Sequence, residues 1–218
     1  MRIGMLGSGR VGQAIASRLV ELGHEVVIGA RDPDNPRAAG WVADHPGGRA
    51  GGFRDAANHG ELLFNVTAGT GSLAALAAAG ADSLAGKVLV DVANPLDFGR
   101  GSGTGPLAVV NDDSLGEQIQ RAYPEVRVVK ALNTITSDVM VHPELVPGPH
   151  TLFLAGDDPA AKQVVVGLLG EFGWPAGDLL DLGGIQAARG MEMYLPLWLS
   201  MMGAFGTTIF NVHVVRSA

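Results

Sequence analysis

The stretch Arg2-Ile3-Gly4-Met5-Leu6-Gly7-Ser8-Gly9-Arg10-Val11-Gly12 decides the fold. Residues 2–6 are an apolar run of strand length. Glycines follow at 7, 9 and 12, and then Val11, Ala14, Ile15, Leu19 and Leu22 recur at helical spacing, with Gly23 placed to cap a helix C-terminus. A Gly-x-Gly-x-x-Gly pattern means little by itself in a chain with 32 glycines. The strand before it and the amphipathic helix after it make it specific. Gly7 permits the tight turn, Gly9 lets backbone approach a pyrophosphate, and Gly12 lets the helix pack closely on the sheet. The helix start offers its unpaired N–H groups and positive dipole end to the phosphates. Residues 24–30 read as a second strand, ended by the turn Asp32-Pro33. Residues 1–31 therefore read as a βαβ unit that binds a dinucleotide.

The end of that second strand bears on which dinucleotide. An NAD site places an acidic residue about 20 positions beyond the loop, on the ribose 2′-hydroxyl. This chain has Arg31 there, and a guanidinium grips a 2′-phosphate that a carboxylate would repel. Neighbours on a strand point to opposite sides, so Asp32 reads as a turn residue and Arg31 as the reader of the phosphate. Arg37 is a second nearby cation.

Downstream, strands alternate with helices. Residues 62–67, 88–93 and 126–132 read as buried strands, and residues 72–79 as an alanine-rich helix. Ser114 with Glu117 opens a helix to about residue 122. Residues 33–48 read as a loop with one helical turn. Residues 98–106 read as a glycine-rich loop, in which Gly101-Ser102-Gly103-Thr104-Gly105 is a lid or linker rather than a second phosphate site. Later come strands at 151–155 and 179–182, a helix capped by Asp158-Pro159, a helix from about 185 to 205, and a final strand at 210–215. The implied class is α/β: a Rossmann-type, doubly wound parallel sheet over residues 1–132, with a small C-terminal α+β lobe over 133–218.

Composition narrows the function. The chain of 218 residues is 47% hydrophobic, carries a net charge of −7 and contains no cysteine. Nucleic acid is not expected as a partner, and thiolate catalysis and thiolate metal sites are excluded. His24, His45, His59, His142, His150 and His213 are scattered, and no metal is expected. No nucleophile-elbow serine occurs. With no signal-peptide pattern at the start, the expected location is cytoplasmic. Residues 193–210 lack charge, but Pro196, Gly203 and Gly206 interrupt them and no basic cluster flanks them. They read as a helix buried in a cleft or a subunit interface. Asn65-Val66-Thr67 matches a glycosylation acceptor but falls in a buried strand.

The chain resembles the family of NADP oxidoreductases dependent on the deazaflavin coenzyme F420, a superfamily shared with the cytoplasmic domain of certain ferric reductases. The resemblance rests on residues 3–12, on Gly29-Ala30-Arg31, on Asp91-Val92-Ala93-Asn94-Pro95-Leu96, on Lys130-Ala131-Leu132-Asn133-Thr134-Ile135 and on Ala155-Gly156-Asp157-Asp158. It implies Ser8, Arg10 and Val11 on the phosphates, with Ala30 and Arg31 at the 2′-phosphate, although relatives often have a hydroxyl residue where Ala30 stands. It implies Thr67 and Ala68 beside the ribose, Asn94 among the ligand-binding strand ends, where a local turn bond before Pro95 is the other reading, and Asn133 and Thr134 toward the nicotinamide. It further implies a homodimer, with nicotinamide and deazaflavin stacked between the two lobes.

The expected cofactor is NADP, with F420 as co-substrate, and no single catalytic residue is assigned, because the cofactors carry the hydride. Met191, Tyr194, Leu195, Trp198 and Met202 form an apolar stripe read as core or interface before ring contact. Arg189 is either an anion contact or a solvated charge. Two alternatives remain at this point: an NADP-dependent reductase of a small carbonyl or imine, and a non-catalytic NADP-binding regulatory protein.

Overall fold

The computed structural model describes residues 1–97, 99 and 106–217. The expected loop 101–105 lies outside them. Eight strands form one sheet in the order β3-β2-β1-β4-β5-β6-β7-β8. They are β1 Arg2–Leu6, β2 Glu25–Ala30, β3 Arg49–Gly52, β4 Leu62–Asn65, β5 Val88–Asp91, β6 Arg127–Ala131, β7 Leu152–Ala155 and β8 Leu179–Asp181. All neighbouring pairs are parallel except β6 with β7. The helices are α1 Arg10–Glu21, α2 Pro36–Asp44, α3 Phe53–His59, α4 Ser72–Ala79, α5 Ala81–Leu84, α6 Leu115–Ala122, α7 Ser137–Val141, α8 Pro159–Glu171, α9 Ala188–Met193 and α10 Leu195–Phe205.

The central strands are buried on both faces, which is why they read as continuous apolar runs. Alternate residues feed two cores. Ile3, Met5, Ile28, Phe64 and Val90 pack with Ile15 and Leu19 of α1 and with α8. Leu6, Val27, Leu63, Leu89 and Val128 pack with Ala56 of α3, Leu76 of α4 and Ile119 of α6. The order reverses direction at β1, with β2 on one side and β4 on the other. Open α/β sheets bind ligands at such a switch point, beyond the carboxyl ends of the strands.

The structure departs from the sequence reading in several places. Residues 33–48 hold a nine-residue helix rather than one turn. Asn35 caps α2 by accepting from the Arg37 and Ala38 N–H groups, with Pro36 at its first position. β3 and α3 were not expected. β3 is a four-residue edge strand, Arg-Ala-Gly-Gly, with no apolar pattern, and α3 begins where the Asp55 carboxylate accepts from the Gly52 N–H at 2.8 Å. The helix expected over 185–205 breaks at Tyr194, before Pro196, into α9 and α10. Residues 210–215 form no strand; they lie against Thr151, which donates its N–H to the Val212 carbonyl at 2.8 Å. β7 and β8, from the segment expected to form the small C-terminal lobe, continue the same sheet.

Candidate functional site

The glycine loop sits where β1 leaves the sheet. Gly7 has φ +134°, and a methyl group there would lie 2.7 Å from the Val66 carbonyl oxygen. At Gly12 a methyl would lie 2.6 Å from the Gly7 carbonyl oxygen and 3.0 Å from Val66 Cγ2, so the start of α1 seats directly on the loop. Gly9 is different. A side chain there would meet nothing within 4 Å, and no side chain caps α1. The helix start is left open to an anion.

Beside the loop lies a cleft of about 350 Å³. Arg10 and Val11 of α1, Thr67 and Ala68 after β4, Asn94 after β5 and Asn133 after β6 all line it. The two asparagines are bonded to each other. Asn94 Nδ2 donates to the Asn133 carbonyl at 2.7 Å, and Asn133 Nδ2 donates to Asn94 Oδ1 at 2.9 Å and to the Met191 carbonyl at 3.0 Å. Asn94 thus bridges to Asn133 through its side chain, while its carbonyl accepts the Leu96 N–H in a local turn at 2.8 Å. Leu132, just before Asn133, has φ +66°. A bulky residue in the left-handed region costs about 1–3 kcal/mol and occurs where surrounding structure dictates it. Asn133 Oδ1 and Thr134 Oγ1 are inaccessible and have no hydrogen-bond partner among the described residues. Buried polar atoms of this kind call for a partner.

A polar network runs beneath the cleft floor. Thr67 Oγ1 donates to Asn65 Oδ1 at 2.8 Å, and Asn65 Nδ2 donates to Asp91 Oδ1 at 2.8 Å. Asp91 also meets Lys130 Nζ, 2.9 Å away, and the same ammonium lies 2.8 Å from Glu192 of α9 and donates to the Ala93 carbonyl. All three charged side chains are buried. Burial opposes the Lys130 charge, but the two carboxylates more than offset it and hold its pKa above the usual value. Burial pushes the Glu192 carboxyl up, and Lys130 restores part of that loss. Glu192 also accepts the Leu115 and Gly116 N–H groups at the start of α6, at 2.8 and 3.1 Å. The sequence analysis did not single out Lys130 or Glu192 for a role. A lysine inside an apolar strand was the available signal, since lysine is rarely fully buried unless paired.

The remaining expected residues fall as follows. Ser8 lines a second, open depression beside Arg10, Gln13 and Arg37, and Ser8 Oγ donates to Asn35 Oδ1 at 3.3 Å, joining the glycine loop to the start of α2. Ala30 is buried and Arg31 exposed, with no ion pair for Arg31 among the described residues. Asp32 Oδ1 accepts the Asp34 N–H at 3.1 Å, the turn role expected of it. Thr134 is buried next to Asn133 but is not among the residues that line the cleft. Arg189 is paired within the fold. It forms a two-pronged ion pair with Glu117, at 2.9 and 2.7 Å, which holds the Glu117 carboxyl below its usual range. Asn65 of the glycosylation match is fully buried. Leu195 and Trp198 of the C-terminal stripe line the cleft, and the rest of α10 is largely exposed, not buried. No described helix is long and apolar enough to cross a membrane.

Comparison with known proteins follows the same outline. Residues 2–95 match the family model described as NADP oxidoreductase, coenzyme F420-dependent. A crystal structure from Arthrobacter sp. FB24, of a candidate F420-dependent NADP reductase, superposes with a TM-score of 0.94 at 48% identity, covering 99% of this chain and 100% of that one. The F420-dependent NADP reductase of Methanothermobacter marburgensis is 26% identical over 212 residues, 92% of each chain. The rat metalloreductase STEAP3 is 32% identical over 205 residues, which is 90% of this chain and 38% of that protein. The chain therefore spans well under half the length of that relative.

Proposed function

The chain belongs to the family of coenzyme F420-dependent NADP oxidoreductases and is an NADP-dependent oxidoreductase; from that premise we propose that it moves hydride across the cleft between NADP(H) and a deazaflavin of the F420 type. The observation that carries the reading is the open start of α1 at Gly9 beside a cleft lined by Arg10, Val11, Asn94 and Asn133. In this reading the backbone of residues 7–12, with Ser8, Arg10 and Val11, holds the pyrophosphate. Arg31 at the end of β2 and Arg37 in the first turn of α2 take the 2′-phosphate, beside Ala30. Thr67 and Ala68 meet the ribose, and Asn94 and Asn133 orient the carboxamide end, with Thr134 buried next to Asn133. The unpartnered Asn133 Oδ1 suits a ligand N–H donor.

When bound, NADPH supplies a hydride from nicotinamide C4, and the deazaflavin supplies an electron-poor carbon to receive it. The chain positions the two rings and excludes water. The cleft's described lining favours such an acceptor over a small carbonyl or imine. Its polar side chains are Arg10, Thr67, Asn94, Asn133, Thr136, Ser137 and Trp198, with no carboxyl, imidazole, ammonium or phenol. Carbonyl reduction wants a proton donor within reach, whereas the negative charge left by hydride transfer to a deazaflavin carbon is spread over the conjugated ring, which takes up its proton from solvent. Residues 133–218 act in this reading as the lobe that closes the acceptor side. The exposed apolar face of α10, with Leu197 and Phe205 more than half exposed, pairs with a second copy in a homodimer.

The test is direct. Mixed with NADPH and oxidised F420, the protein should bleach the deazaflavin absorbance at a rate proportional to enzyme. NADH should serve poorly. Absence of turnover with F420 would end the deazaflavin assignment, and a monomer by light scattering would end the dimer assignment.

A further inference from the structure

Helix α10 contributes little to the core. Of its eleven residues only Leu195 is buried. Yet Leu195 and Trp198 close the cleft that the ends of β4, β5 and β6 open. Phe210 stacks on the Trp198 indole, with centroids 5.3 Å apart and planes 21° from parallel, and Phe205 meets Phe210 edge-on at 5.2 Å. Phe210 thus covers one indole face, and Trp198 also lines the cleft. Trp198 Nε1 is inaccessible and has no acceptor among the described residues. A buried indole N–H ordinarily finds one. Stacking therefore places this ring, and no described hydrogen bond does.

The position of the helix, by contrast, is held by bonds. The Asn133 side chain donates to the Met191 carbonyl, Glu192 is pinned by Lys130 and the start of α6, and the Asn111 N–H reaches Met193 Sδ at 3.3 Å. These contacts deliver α9, and with it the start of α10, to the cleft. The result is an aromatic ring, on a tethered helix, in a cleft whose other described lining residues are polar and aliphatic. A cavity of about 350 Å³ is at the small end of ligand sites, which run from about 300 to 1,000 Å³, and Leu195 and Trp198 form part of its lining.

We propose that Trp198 is the specificity-determining residue for the hydride acceptor, offering its indole to a planar, conjugated, fused-ring acceptor and so favouring that class over compact carbonyl compounds. The inference deepens the hydride-transfer reading above and rests on it. Trp198 takes no part in the chemistry. It sets which ring can be held face to face with the nicotinamide.

The experiment compares the full-length wild type with Trp198→Ala and Trp198→Phe. It records kcat and KM for F420 and for FMN at saturating NADPH, the NADPH Kd and the thermal midpoint. Trp198→Ala should lower kcat/KM for both acceptors about tenfold, chiefly through KM, and leave the NADPH Kd within about twofold. Trp198→Phe, which keeps an aromatic face, should restore most of the loss. Unchanged kcat/KM in Trp198→Ala would overturn the proposal. So would a loss matched by an equal loss of NADPH affinity, the mark of a merely structural role. A wild type inert to F420 but active on FMN in a Trp198-dependent way removes the deazaflavin reading and keeps the inference. A wild type active on F420 and indifferent to Trp198 does the reverse. No turnover with either acceptor removes both.

Discussion

The two sides of the cleft are built in opposite ways. The glycine-loop side comes from one continuous stretch, in which strand, turn and helix follow each other and the Val66 turn after β4 packs against them. Its central group, the start of α1, is left open. The α9–α10 side comes from residues distant in the chain, held by a buried ion cluster and side-chain to backbone bonds, and its lining is aromatic and aliphatic. A charged, hydrated dinucleotide calls for the first design, because N–H groups and a helix dipole must be ready for phosphate. A flat redox partner calls for the second, because shape and dryness do the selecting.

The comparison breaks first at Lys130. Replacing it with Met leaves Asp91 and Glu192 facing each other without a cation in a dry site. A loss of about 3–5 kcal/mol in unfolding free energy is expected from denaturant titration. The loss should reach the acceptor side before the dinucleotide side, with the acceptor KM rising under conditions where NADPH still binds. On the loop side, Arg31→Gln should raise the NADPH Kd about 10–100-fold, the equivalent of about 1.5–3 kcal/mol for a lost charge-assisted contact. NADH affinity should barely change, and a parallel loss for NADH would move the 2′-phosphate elsewhere. Gly12→Ala forces a methyl against the Gly7 carbonyl oxygen. About 1–3 kcal/mol of stability should go by thermal melting, together with NADPH affinity.

The smallest effect concerns the approach to α6. Arg121 holds the Asp113 carboxyl down, from the ordinary 3.8 to about 2. A carboxylate with a lowered folded pKa adds stability above pH 3.8 and loses it as the pH falls toward 2. Asp113→Asn should therefore melt earlier than wild type near neutral pH, with the difference closing near pH 2. A difference that persists at pH 2 would show a packing effect instead of a charge effect.

The same contrast explains what the sequence made legible. The βαβ unit, the Ser114 cap of α6 and the Asp158-Pro159 start of α8 were readable because each is specified by residues within one turn or one strand. Asn35-Pro36 carried the same kind of signal and was passed over amid the prolines and glycines around it. β3 had no signal, because an edge strand of Arg-Ala-Gly-Gly owes its place to β2 rather than to its own pattern. On the acceptor side, Lys130 and Glu192 stand far apart in the chain, and only the fold brings them within 2.8 Å. The left-handed backbone of Leu132 left no trace in residue type. Arg189 looked free because its partner, Glu117, was already accounted for as a helix-capping residue.

The central claim is that one cleft brings nicotinamide and acceptor ring together for direct transfer. NADPH deuterated at the transferring C4 position tests it. With F420 as acceptor, the deuterium should appear on the ring carbon of the reduced deazaflavin with no wash-out into water, as mass spectrometry would record. Reduced deazaflavin carrying hydrogen from solvent at that carbon instead would contradict the account.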